Sequence, residues 1–146
     1  MNWGILGAGL VMGIAAMGSA IGIGIAGQGA IGAWKRCYLN NKPAPFLLVV
    51  FAGAPLTQTI YGFLLMQTIK PKAIAVASDP AQQLFYLGLG IACGLSMCMS
   101  AVAQGKAGAA GSDALAETGK GFTNYIMVVG LCETIALFSM VFGMIA

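Results

Sequence analysis

Histidine is absent from this chain, and charge is scarce: Asp, Glu, Lys and Arg make up 8% of the residues. Without imidazole there is no histidine-ligated zinc or haem and no His-based catalytic triad. A water-soluble domain of similar size carries about a quarter charged residues. With 59% hydrophobic residues and a mean hydropathy of +0.89, the excess apolar surface must face lipid. The four cysteines (Cys37, Cys93, Cys98, Cys132) form no CxxC pair, and three lie in apolar runs. A free thiol there is a small core residue, so neither a disulfide framework nor a cysteine metal site is expected. The net charge is only +3 with no basic tract, which makes nucleic acid an unsuitable partner. The start, Met1-Asn2-Trp3-Gly4, lacks the positive n-region of a signal peptide, and its apolar run is too long for a signal h-region. That run is expected to remain as a spanning helix.

What is present is apolar length. A span needs about 20 mainly apolar residues, and four runs supply them: 4–33, 45–69, 81–110 and 121–145. Between them lie Trp34–Ala44, Lys70–Pro80 and Gly111–Lys120, which read as loops. Open sheet edges are not viable in hydrocarbon, so the fold class is an all-α membrane protein with four transmembrane helices.

The first and third runs are dense in small residues. Gly9-xxx-Gly13 and Gly18-xxx-Gly22 place glycines one turn apart, which lets helix backbones approach closely. Glycine otherwise costs about 1 kcal/mol per helix position, so their number points to tight packing, within one bundle or in a crowded inner ring of many copies. The second and fourth runs are bulkier and suit an outer, lipid-facing layer. The halves also look duplicated. Ala26-Gly27-Gln28-Gly29 matches Val102-Ala103-Gln104-Gly105 at 76 positions, and Gln58-Thr59-Ile60 matches Glu133-Thr134-Ile135 at 75. The 1–146 domain therefore divides into two tandem hairpins of the same orientation, 1–72 and 78–146. One keeps an acid where the other has Gln58.

Of the four acids, Asp79, Asp113 and Glu117 fall in expected loops, and Glu133 lies inside a span. An ionised group there costs at least about 2.5–3.5 kcal/mol, and such residues mark ion or proton pathways. Otherwise Glu133 is a protonated interhelical hydrogen-bonding group. The second run adds Ala54-Pro55-Leu56-Thr57-Gln58-Thr59-Ile60-Tyr61, with Thr57 and Tyr61 on one face and Pro55 freeing backbone carbonyls. The third run adds Gln104. Singly, Thr57, Gln58 and Gln104 are most simply hydrogen-bonding groups between helices. As a set, one carboxylate with several neutral oxygens suits a hard monovalent cation. A divalent ion recruits more negative charge, and a proton needs the carboxylate alone.

On these residues the sequence resembles the duplicated proteolipid, the K or c subunit, of the V/A-type rotary ATPases, most of all the sodium-translocating members. The resemblance covers essentially the whole chain: the Gly-rich first helix, Pro55 followed by Thr57-Gln58 and Tyr61, then Gln104 and Glu133. It implies a homomeric rotor ring that turns against a stator as a soluble head hydrolyses or makes ATP. The implied Na+ ligands are the side chains of Thr57, Gln58, Gln104 and Glu133 and the main-chain carbonyl of Ala54, with H+ as the alternative ion. Tyr61 is implied to hydrogen-bond the carboxylate. Alone the chain is implied to be no enzyme and to need no organic cofactor.

A bare carboxylate is disfavoured in lipid, so a stator membrane subunit is expected to supply an arginine; Arg36 reads as a loop residue. Lys35, Arg36 and Lys42 lie between the first two runs, and Lys106 and Lys120 near the 3–4 turn, against Lys70 and Lys72 in the 2–3 loop. This bias puts the 1–2 and 3–4 loops in the cytoplasm, where central-stalk subunits would dock, and both termini of this multi-pass cell-membrane protein outside. A small four-helix membrane transferase would need a cluster of Arg, Tyr or His at a membrane face, and none is evident. A purely structural pore explains the glycines but leaves Glu133, Gln58 and Gln104 without a purpose.

Overall fold

In lipid a span must satisfy its own backbone, which leaves the helix as the solution for isolated apolar runs. The computed structural model describes residues 2–146, and helices account for nearly all of them. They are α1 (Trp3–Leu39), α2 (Leu48–Gly53), α3 (Thr57–Ala75), α4 (Pro80–Thr118) and α5 (Phe122–Ile145). A 3₁₀ turn, Ala54–Leu56, joins α2 to α3, so Leu48–Ala75 forms one span. With α1, α4 and α5 this makes four helices long and apolar enough to cross a membrane.

The helices outrun the apolar stretches. α1 continues through Lys35 and Arg36, α3 through Lys70, Pro71 and Lys72, and α4 through Asp113 and Glu117. Arg36, Asp113 and Glu117 are therefore exposed helix residues and not the loop residues expected, and Lys106 sits well inside α4 rather than at the turn. The physical reason is that falling hydropathy marks the exit from hydrocarbon, not the end of a helix. The 37 residues of α1 rise about 55 Å, against about 30 Å of bilayer core. Pro71 is exposed near the end of α3, where the carbonyl left unpaired by its ring can be solvated.

The stops follow local chemistry. The Asn40 side chain donates to Arg36 O at 2.8 Å as α1 ends. Asp79 Oδ1 accepts from the N–H groups of Ala81 (2.9 Å) and Gln82 (3.2 Å), capping α4. Gly119 takes the left-handed φ of 67° that ends α4.

α1 and α4 run side by side in the same direction, as a parallel repeat requires. Gly7 meets Tyr86 and Leu87, Gly18 meets Cys98, Gly22 meets Ala101 and Gly29 meets Ala109. The approach is backbone to backbone: a methyl on Gly90 would lie 2.1 Å from Gly7 O, and one on Gly22 would lie 2.3 Å from Ala101 O. Gly9 and Gly13 behave differently from Gly18 and Gly22. Among the described residues, nothing lies within 4 Å of a methyl at either position, nor at Gly24, Gly27 or Gly32. α3 and α5 pack on the α1–α4 pair, with Gly62 against Ala15 and Gly143 against Cys93. They turn Ile60, Phe63, Leu131, Ile135, Phe138 and Phe142 outward.

Polar contacts define the two ends. At one, Gly4 N–H donates to Gln83 Oε1 at 2.8 Å, Gln83 Nε2 donates to Ala73 O at 2.7 Å, and Lys72 Nζ donates to Met144 O at 2.9 Å. These gather the N-terminal turn, the 2–3 connection and the end of α5. At the other, Arg36 pairs with Asp113 and lies 3.8 Å from Glu117, which brings the 1–2 loop beside the 3–4 turn.

Candidate ion-binding site

Pro55 has no N–H to continue the α-helical ladder, and the chain tightens there into the 3₁₀ turn. Its ring is buried and comes within 2.8 Å of where a Gly22 methyl would stand, so a side chain on α1 would push the turn away. The turn brings Ala54 O to the start of α3. Ala54 O accepts the Thr57 N–H, and the single proton of Thr57 Oγ1 has Ala54 O at 3.2 Å and Gln58 Oε1 at 3.3 Å as acceptors.

Glu133 stands eleven residues after Phe122 and twelve before Ile145, at the middle of α5, and is half-buried. Tyr61, one turn beyond Thr57 on α3, donates its hydroxyl to Glu133 Oε1. Gln104 reaches across from α4. Its Nε2 donates to Glu133 Oε2 at 3.3 Å and to Val129 O at 3.2 Å. Gln58, fully buried like Gln104, donates Nε2 to Gln104 Oε1 at 2.8 Å. All six residues singled out in the sequence thus meet in one hydrogen-bonded path: Tyr61, Glu133, Gln104, Gln58, Thr57, then Ala54.

Two buried serines border this path, and by sequence they look only like small packing residues. Ser100 Oγ donates to Cys132 O at 2.6 Å and lies 3.5 Å from Gln58 Nε2. Ser19 Oγ accepts the Thr59 N–H at 3.2 Å. Each serine sits on a Gly-rich helix and engages an outer helix one residue from the repeated Gln58/Glu133 position, a contact that the sequence alone does not signal.

Chemically, the set offers one carboxylate, two amides, two hydroxyls and a main-chain carbonyl at mid-span depth. An amide presents either its NH2 or its oxygen by turning about one bond, so these groups can serve an anionic carboxylate or a bound cation. The lone arginine, Arg36, is held by Asp113 and Glu117 at the helix ends and does not reach Glu133.

Comparison with known proteins gives a consistent picture. The family model for the C subunit of ATP synthase matches residues 87–146, the half that contains Gln104 and Glu133. The A-type ATP synthase subunit K of Methanocaldococcus jannaschii is 33% identical over 150 aligned positions, covering 97% of this chain and 60% of that relative. The V-type sodium ATPase subunit K of Enterococcus hirae is 30% identical over 128 positions, covering 86% of this chain and 77% of that relative. The chain thus spans about 60% of the length of the first of these and about three quarters of the second.

Proposed function

The chain belongs to the duplicated proteolipids, the K subunits of the V/A-type ATPases, and from that membership we propose that it is a rotor-ring subunit carrying Na+ at Glu133. The observation that supports this most is the path of hydrogen-bonding groups around one mid-span carboxylate. The proposed ligands are the carboxylate of Glu133, the oxygens of Thr57, Gln58 and Gln104, and the carbonyl of Ala54. Tyr61 holds the carboxylate in place. Na+ is here the cargo, and several neutral oxygens are what it needs in exchange for its water. H+ is the alternative cargo, since it would use Glu133 alone.

The mechanism follows from the cost of charge in hydrocarbon. With a cation bound, the site is neutral overall and passes lipid at small cost. Without one, a carboxylate facing lipid is strongly disfavoured, so the unloaded site must meet either a new cation or a fixed positive charge. Arg36 is engaged elsewhere, so that charge comes from a stator subunit. Each ion crossing works with or against about 2.3 kcal/mol per 100 mV, which divides one ATP among several sites.

The ring itself is supported by the uncovered glycines. Gly9, Gly13, Gly24, Gly27 and Gly32 leave α1 with small-residue surface that the described residues do not fill, and a neighbouring copy is the occupant of matching shape. For orientation, Lys35, Arg36, Lys42 and Lys120 cluster at one end and Lys70 and Lys72 at the other. With Lys106 removed from the count, the bias still supports the 1–2 loop and 3–4 turn as the cytoplasmic side and platform for a central stalk, with both termini outside. The test is Na+ binding to the detergent-extracted assembly before and after treatment with a hydrophobic carbodiimide. One Na+ per chain, lost on modification, is expected. Proton-linked binding indifferent to Na+ would replace Na+ by H+ as cargo.

A further inference from the structure

Resting on the reading of this site as a Na+ site, we infer that Ser100 is a positioning residue that sets which way the Gln58 amide faces. Ser100 is 5% exposed and lies one turn before Gln104 on α4. Its hydroxyl has one proton, and Cys132 O takes it at 2.6 Å. What Ser100 then shows to Gln58 is lone pairs. Lone pairs attract an N–H and repel a carbonyl oxygen, and Gln58 Nε2 is the atom that stands 3.5 Å away. Its other neighbour, Gln104 Oε1 at 2.8 Å, is also an acceptor. The NH2 of Gln58 is therefore held on the α4 side, and its oxygen turns toward Thr57 Oγ1.

The two acceptors are not equivalent. Gln104 is itself an amide, and when it turns its oxygen to a cation it ceases to be a dependable acceptor for Gln58. Ser100 cannot reverse in this way, because its proton is fixed by a main-chain carbonyl of α5. A Gln58 amide without that fixed partner is free to present NH2 where the cation needs oxygen. Among the described residues no hydrogen bond joins Ser100 to Glu133, whose carboxylate is held by Tyr61 and Gln104, so proton chemistry at the carboxylate does not depend on it.

The test uses intact rings and measures carbodiimide labelling of Glu133 as Na+ is raised. Ser100→Ala should raise the Na+ concentration for half-protection about 3- to 10-fold, the range expected from one lost hydrogen-bond partner. The labelling rate without Na+, and its dependence on pH, should stay as in the unmodified ring. Ser100→Thr, which keeps the hydroxyl, should restore protection. Ser139→Ala is the structural control: it removes the 2.5 Å hydrogen bond from Ser139 to Ser96 in the same α4–α5 contact, away from the site. It should leave protection unchanged. If Ser100→Ala yields no rings, Ser100→Cys, with a poor donor of similar size, should show the same rise. Normal half-protection in Ser100→Ala, an equal rise in Ser139→Ala, or a shifted pH profile would each overturn the role of Ser100 alone. An unmodified ring whose labelling ignores Na+ would overturn the Na+ reading, and this role with it.

Discussion

In the first hairpin Gln28 is exposed on α1 and Gln58 is fully buried on α3. In the second, the matching Gln104 is fully buried on α4 and the matching Glu133 is half-buried on α5. The same scaffold has been put to unequal use. The polar groups of the first hairpin's outer helix, Thr57, Gln58 and Tyr61, serve the carboxylate of the second, while Gln28 stands outside this path. The four spans thus share one mid-span acid, Glu133. A bare carboxylate is the costly species in lipid, and halving their number around a ring halves the charges that must be escorted past it. On the proposed reading, the two hairpins together make one site per chain in place of two.

The largest way to break this asymmetry is to remove the acid. Glu133→Gln deletes the single charge that offsets a cation's desolvation, and Na+ uptake by reconstituted vesicles should fall to background. Appreciable uptake would move the site elsewhere. Restoring the symmetry is the next test. Gln58→Glu places a second acid on the same Gln104 that already serves Glu133, and two carboxylates so close do not both ionise readily. Equilibrium binding should still count one Na+ per chain, and two would show that the hairpins are independent. A smaller effect is expected from the neutral oxygens. Thr57→Ala and Gln104→Ala should each weaken Na+ by about 1–3 kcal/mol, or roughly one to two decades in affinity. Unchanged affinity in both would make them interhelical packing groups.

A second contrast, within α1, separates packing inside the chain from packing between chains. Gly90→Ala drives a methyl into Gly7 O and should destabilise the α1–α4 contact by about 1–3 kcal/mol. Gly9→Ala meets no described residue of its own chain, so the helical content should be unchanged. In the ring the added methyl should loosen the assembly, read as smaller oligomers by native mass spectrometry in mild detergent.

These contrasts also mark what a sequence can and cannot reveal here. Glu133 stands out because an acid in a long apolar run is costly, whereas Gln58 and Gln104 gain weight only as a set with it and Tyr61 through the resemblance. The four spans are legible from apolar length. The ends of the helices are not, since residues such as Asp113 and Glu117 read as loop yet are content on a helix that has left the bilayer. Nor does spacing reveal which glycines touch what. Gly9-xxx-Gly13 and Gly18-xxx-Gly22 are the same pattern, and only the second meets α4. Ser19 and Ser100 are hidden among small residues because a buried hydroxyl's role lies in its partners, which are far away in sequence.

The measurement that bears most directly on Glu133 as the ion site is its reaction with a hydrophobic carbodiimide. The reagent needs a protonated acid and an apolar path, and Asp79, Asp113 and Glu117 are exposed at the helix ends. Labelling should fall on Glu133 alone, quicken as pH is lowered and be suppressed by Na+. Labelling at Asp113 or Glu117, or labelling of Glu133 that Na+ does not slow, would contradict the assignment.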